Sequence, residues 1–117
     1  MRNYCSAGLL LVMLTGPLTP AAAQDRQSKR IEKCSLVVAG TAYIDGPCDF
    51  TILDSDGSFQ IMAPDNSYFA QVEVDRPGHA KGYWNEEKGA NHAHSPLGEL
   101  TRDDACWSNA DASVCAW

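Results

Sequence analysis

Two histidines one residue apart form the sharpest local constellation in the sequence, within Asn91-His92-Ala93-His94-Ser95. In an extended segment, His92 and His94 point to the same side, as two metal ligands would. A zinc site takes three or four protein ligands, so a further group would have to come from a neighbouring strand. The candidates for that group are His79, Glu86 and Glu99. Two ligands do not define a site, and we interpret the pair as loop histidines, with a small metal-binding protein as an alternative.

Catalytic chemistry has little support elsewhere in the sequence. Ser95 is adjacent to His94, and neighbouring residues of a strand face apart, so the two form no direct dyad. The motif Asp54-Ser-Asp-Gly57 has the acids of a calcium loop but puts Phe59 where such a loop needs glycine. The same residues suit a tight hairpin turn. We therefore expect no enzyme, no bound metal and no cofactor.

The elements that position these residues follow an export signal. An apolar run covers residues 7–14, and a stretch of small residues that ends at Ala23 suits a signal peptidase. The run is too short to cross about 30 Å of hydrocarbon. We predict a signal peptide over residues 1–23, which removes Cys5 and leaves no membrane anchor.

The four remaining cysteines indicate two disulfides, since an even number in a short exported chain forms a disulfide framework. The predicted bridges join Cys34 to Cys48 and Cys106 to Cys115. In the second pair, a two-residue turn at Ala110-Asp111 places the cysteines directly opposite each other. In the first pair, a turn at Gly40-Thr41 leaves them one register step apart. Disulfides of this kind predict a periplasmic or secreted protein.

Strand signals dominate the chain after an initial flexible leader, predicted over residues 24–33. Turns recur about every 8–12 residues, which indicates one all-β domain over residues 34–117. We expect a small antiparallel meander of six or seven strands that forms a sandwich or partly open barrel. Residues 86–104 are predicted as a long loop with one short strand at 98–101. The predicted core comprises Phe50, Ile52, Phe59, Ile61, Val72, Val74, Trp84 and Trp107.

The net charge of −6 at pH 7 disfavours a nucleic-acid partner, because phosphates need a basic footprint. The acids are unevenly placed, and none of the residues between Cys34 and Asp75 is Lys or Arg. Such a surface keeps a small domain soluble, and it also attracts cationic partners through its long-range field.

Aromatic residues supply a candidate contact surface next to the histidine loop. Trp84 fits the core, whereas Tyr83 lies on the opposite face of its strand. An exposed tyrosine provides much contact area at low entropic cost, as protein and carbohydrate contact surfaces require. The candidate binding residues are Tyr83, Asn91, His92, His94 and Ser95.

Six short segments together resemble small exported bacterial proteins that contain disulfides and have no assigned activity. They are Gly46-Pro-Cys48-Asp-Phe50, Asp56-Gly-Ser-Phe59, Gly82-Tyr-Trp-Asn85, His92-Ala-His-Ser-Pro-Leu-Gly98, Ala105-Cys-Trp107 and Cys115-Ala-Trp117. In size, acidity, export and disulfide use the chain also resembles periplasmic lysozyme inhibitors. Their inhibitory Ser-Gly-x-x-Tyr loop is absent, since Ser58 is followed by Phe59.

These observations predict an exported, non-enzymatic binding module that contacts a cationic protein or an envelope glycan through Tyr83 and residues 91–95. A periplasmic inhibitor of a lysozyme-type cell-wall hydrolase is an alternative. A further alternative is a purely structural component of the envelope.

Overall fold

The computed structural model describes residues 27–117, so the predicted signal peptide, Cys5 and residues 24–26 lie outside the described part. Within it the chain is all-β and contains eight antiparallel strands and no helix. The strands are β1 Ser28–Val38, β2 Thr41–Ile52, β3 Phe59–Met62, β4 Phe69–Arg76, β5 His79–Trp84, β6 Ser95–Asp103, β7 Cys106–Ser108 and β8 Ala112–Ala116. Each pairs with the next, and β8 pairs with β1 to close a barrel. The all-β antiparallel meander is confirmed, with eight strands rather than six or seven, and the barrel is closed.

The first strand begins inside the segment that the sequence predicted as a flexible leader. Residues 28–31 pair with residues 48–51 of β2. Arg30 Nε donates a hydrogen bond to Asp49 Oδ1 at 2.8 Å. Residues 28–33 are mostly polar, so the sequence pattern does not indicate a strand there. Their pairing partners lie far along the chain and are identified only by the structure.

The sixth strand occupies much of the segment that was predicted as a long loop. Residues 95–103 are strand, whereas the prediction placed only residues 98–101 in one. Leu97 is an extra residue between the pairs Gly82–Gly98 and Tyr83–Pro96, which is a β-bulge. The bulge interrupts the alternation of inward and outward side chains, so the sequence pattern understates the strand.

Both predicted disulfides are present. Cys106 lies directly opposite Cys115, as the predicted turn requires, and Cys34 is bonded to Cys48. Two disulfides in a short domain are expected in an oxidising, extracytoplasmic compartment. Across residues 27–117, no helix has the length and apolar character needed to span a bilayer.

The register around the first disulfide differs from the prediction by one residue. The turn lies at Ala39-Gly40, because Val38 pairs with Thr41. Farther along, two residues of β1 stand opposite Pro47 alone, since Ile31 pairs with Cys48 and Cys34 with Gly46. Proline lacks the N–H group that a strand ladder needs, so a bulge at this position is the expected accommodation.

The barrel interior forms one apolar core. Five predicted core residues are buried, namely Phe59, Ile61, Val72, Trp84 and Trp107. Phe50 and Val74 are partly buried against the core. The prediction was wrong for Ile52, which is the last residue of β2 and is 57% exposed. Three buried residues that the sequence did not single out complete the centre, namely Leu36, Leu100 and Val114.

The two ends of the barrel differ. We call upper the end that carries the β1–β2, β3–β4, β5–β6 and β7–β8 turns, and lower the end that carries the other three turns and both ends of the described chain. At the upper end, the ring of Tyr43 lies 5.0 Å from that of Tyr68 and 4.7 Å from that of Trp84. These three rings pack on the core and cover it there.

Gly82 leaves room for two leucines inside the barrel. A Cβ atom added at this position would lie 2.7 Å from Leu100 Cδ1 and 3.2 Å from Leu97. We expect Gly82→Ala to lower the free energy of unfolding by about 1–3 kcal/mol, the usual cost of overpacking a core. Urea denaturation measures this change. Lys81→Ala on the outer face of the same strand is the control and should change stability little; equal stability of both variants would contradict the assigned packing.

Candidate functional site

Tyr83 lies on the outer face of the barrel at the centre of a row that crosses several strands. Its register partners are Gln71 on β4 and Pro96 on β6. Gln71 in turn pairs with Gln60 on β3, and its side-chain Nε2 donates to Gln60 Oε1 at 2.8 Å. Tyr83 is partly exposed. The row therefore presents an aromatic ring beside two amides that are hydrogen-bonded to each other.

A shallow hollow of about 590 Å³ adjoins this row and is strongly acidic. Tyr83 and Gln71 form one wall of it. The charged residues that line it are Asp54, Glu73, Asp75 and Lys81. Glu73 stands opposite Lys81 in the strand register, yet no ion pair within 4.0 Å joins them in the described chain. Three carboxylates against one ammonium leave this surface, which we call the acidic hollow, with a net negative charge.

Hydrogen bonds hold one of these carboxylates in its charged form. Asp54 Oδ1 accepts the backbone N–H groups of Asp56 at 2.9 Å and Ser58 at 3.1 Å, which confirms the predicted tight turn. Chiefly the backbone bond from Ser58 lowers the pKa of Asp54 below its usual range. The Asp54 carboxylate therefore keeps its negative charge to a lower pH than an ordinary aspartate does.

The histidine loop forms a second, separate hollow of about 310 Å³ near the upper end. Its lining includes Asn91, His92, His94, Ser95 and Glu86. The two imidazole rings lie 5.1 Å apart between centroids. The Ser95 hydroxyl donates to Glu86 Oε1 at 2.5 Å, so its partner is a carboxylate rather than an imidazole.

Two of the three candidates for a third metal ligand lie away from the histidines. His79 pairs with Thr101 toward the lower end, and Glu99 pairs with Lys81 in the middle of the hairpin. Glu86 lines the histidine hollow, but no group of three His, Cys, Asp or Glu side chains within residues 27–117 is suited to hold a metal ion. The metal-binding alternative therefore gains no further ligand from this part of the chain.

Asn85 organises the loop, a role that its local sequence does not indicate. Its side chain is 5% exposed, and its Oδ1 accepts the backbone N–H of Phe69 at 3.0 Å. Its Nδ2 donates to the carbonyl oxygens of Ser67, Glu87 and Ala90 at 3.0, 3.2 and 3.0 Å. These bonds tie the β5–β6 loop to the β3–β4 turn. An asparagine after a strand indicates a turn, but the neighbouring sequence does not show that its side chain has hydrogen-bond partners on another hairpin.

The structure therefore brings four of the five candidate binding residues together and places Tyr83 beside them. Ser95 pairs with Trp84, the neighbour of Tyr83, at the end of the hairpin. Asn91 also lines a hollow of about 380 Å³ that it shares with Gln71, the partner of Tyr83. Tyr83 and the histidine hollow thus belong to adjacent parts of one outer surface rather than to a single pocket.

Comparison with known proteins identifies no relative: no protein-family model, curated protein or solved structure matches the chain.

Asn85→Ala should detach the loop from the barrel. We expect the free energy of unfolding to fall by about 2–4 kcal/mol, because several buried backbone groups lose their partners. Denaturation measures this loss, and hydrogen exchange should show faster exchange at the Phe69 and Gly89 amides. Asn91→Ala, in the exposed part of the same loop, is the matched control and should be nearly neutral. Unchanged exchange in Asn85→Ala would contradict the organising role.

Proposed function

We propose that this chain is an exported, non-enzymatic binding module whose partner is a cationic protein. Tyr83 and the acidic hollow form the centre of the contact, and residues 91–95 form its margin. The observation that carries the proposal is the placement of a tyrosine ring beside three carboxylates in a hollow of about 590 Å³.

The chemistry of the surface favours a basic protein over an envelope glycan. Tyrosine is among the residues that contribute most to protein interfaces, because its ring buries much area with few rotatable bonds. The carboxylates of Asp54, Glu73 and Asp75 would repel anionic glycans and attract lysine or arginine side chains. The amides of Gln60 and Gln71 extend the same face with neutral donors and acceptors.

A non-enzymatic role agrees with the state of the nucleophilic groups. All four cysteines of the described chain are in disulfides, and the Ser95 hydroxyl is bonded to Glu86 rather than to a histidine. The proposed compartment is the periplasm or the extracellular space, where disulfides persist.

Titration calorimetry of the mature chain against a cationic c-type lysozyme tests the proposal. We expect micromolar binding that weakens with salt, and at least tenfold weaker binding for Tyr83→Ala, since a central interface tyrosine is a typical hot spot. The double variant Glu73→Gln, Asp75→Asn should weaken binding and flatten its salt dependence. Trp117→Ala removes an exposed aromatic ring at the lower end and is the matched control.

Absence of binding to this lysozyme and to other cationic cell-wall hydrolases at micromolar concentration would refute a cationic protein partner of this class. Co-sedimentation with purified peptidoglycan sacculi, lost in Tyr83→Ala, would instead identify a glycan partner. Equal affinity of Tyr83→Ala and the wild type for lysozyme would show that the contact lies elsewhere.

A second candidate function is inhibition of a lysozyme-type cell-wall hydrolase. The closed, disulfide-bonded acidic barrel and the acidic hollow favour it, since such hydrolases are basic proteins. The turbidity decrease of a cell-wall suspension measures hydrolysis directly. Inhibition that tracks the calorimetric affinity across the variants would support this function, whereas a complex that leaves hydrolysis at its full rate would restrict the role to binding.

A further inference from the structure

The lower end of the barrel contains a cleft of about 420 Å³ that the proposed function does not use. Its apolar walls include Phe50, Phe59 and Trp107, whose side chains point into the barrel near this end. The rings of Phe50 and Phe59 stack with centroids 5.3 Å apart. This volume lies within the range of small-molecule sites, which are frequent in the mouths of β-barrels.

The two barrel ends carry different sets of aromatic rings. At the upper end the aromatic rings of Tyr43, Tyr68 and Trp84 cover the core. At the lower end Phe50, Phe59 and Trp107 pack on the core and form the floor of the cleft. The two most exposed large apolar side chains, Ile52 and Trp117, also lie at this end, outside the cleft lining. A concave site with apolar walls and a few polar groups is typical of small-molecule binding.

Arg102 supplies a positive charge at the edge of this cleft. Its guanidinium lies 5.8 Å from the centre of the Trp107 ring, and its Nε donates to the Asp104 carbonyl oxygen at 3.0 Å. These two contacts orient the planar group. No ion pair within residues 27–117 involves Arg102, so its two terminal nitrogens remain able to bind a carboxylate. Asp104 itself adopts a φ of 63°, which fixes the adjoining turn.

We propose that this cleft binds a small monocarboxylate with an apolar body, such as a medium-chain fatty acid. The apolar walls receive the hydrocarbon part, and Arg102 binds the carboxylate. Asp56 and Asp104 line the same cleft, and Arg102 is the one positive group among the lining residues, so it can offset one negative charge on a ligand but not two. The site therefore favours a single carboxylate over a phosphate monoester of the same chain length.

Isothermal titration of the mature chain with decanoate, below its micelle concentration, tests this proposal. We expect saturable binding with one molecule per chain, and roughly tenfold or weaker binding for Arg102→Gln, the effect of losing a charged hydrogen-bond partner. Arg76→Gln, at the end of β4, is the matched control, because the Arg76 side chain does not line the cleft. Ala105→Phe should also weaken binding by filling the mouth of the cleft.

Ligand and mapping controls make the outcome decisive. Decyl phosphate and decylamine should bind more weakly than decanoate, and NMR shifts on titration should map to Trp107 and its neighbours. Undetectable decanoate binding, equal affinity of Arg102→Gln and the wild type, tighter binding of decylamine, or shifts confined to the Tyr83 surface would each overturn the proposal. The lysozyme titration probes the adjacent acidic hollow, which shares Val74 and the β2–β3 turn with the cleft. Its variants change Tyr83, Glu73 and Asp75, none of which lines the cleft, so the two proposals can fail separately.

Discussion

Closure of the barrel between the first and last strands is the constraint on which the rest of the structure depends. Cys34 pairs with Ala116 at one limit of this ladder, and Val38 pairs with Ala112 at the other. A closed sheet has no unpaired edge over these residues, and an eight-stranded barrel is just wide enough for side chains to fill it. Disulfides clamp both seam strands to their neighbours, β1 to β2 and β8 to β7.

Closure separates the molecule into an apolar interior, an outer face and two ends with different properties. Alternation along β5 sends Trp84 inward and Tyr83 outward, so one hairpin contributes to both the core and the candidate contact surface. Asn85 holds the β5–β6 loop at the upper end, and the lower end carries the cleft beside Arg102. The scaffold thus positions loops and charged side chains on its outer surface, which is the usual arrangement for binding surfaces.

Electrostatics add direction to these surfaces. The acids that lack basic neighbours in the sequence gather partly around Tyr83, where Glu73 and Asp75 lie on the same outer face of β4. At the lower end, by contrast, Arg102, Asp56 and Asp104 line a cleft that also has apolar walls. The proposed partners differ accordingly, a basic protein at the acidic hollow and a singly charged amphiphile at the cleft. The two surfaces adjoin, since Val74 and the β2–β3 turn contribute to both.

Local patterns in the sequence determined the all-β class, both disulfides, the turn at Asp54 and most of the core. Each depends on residues close together in the chain, where turn chemistry and strand alternation act directly. The tertiary structure alone decided that residues 28–33 are strand, that Ile52 is exposed, and how the chain closes, because these outcomes depend on register between distant strands. The acidic hollow and the cleft beside Arg102 were equally out of reach, since their walls come from several strands and turns that meet only after the barrel has closed.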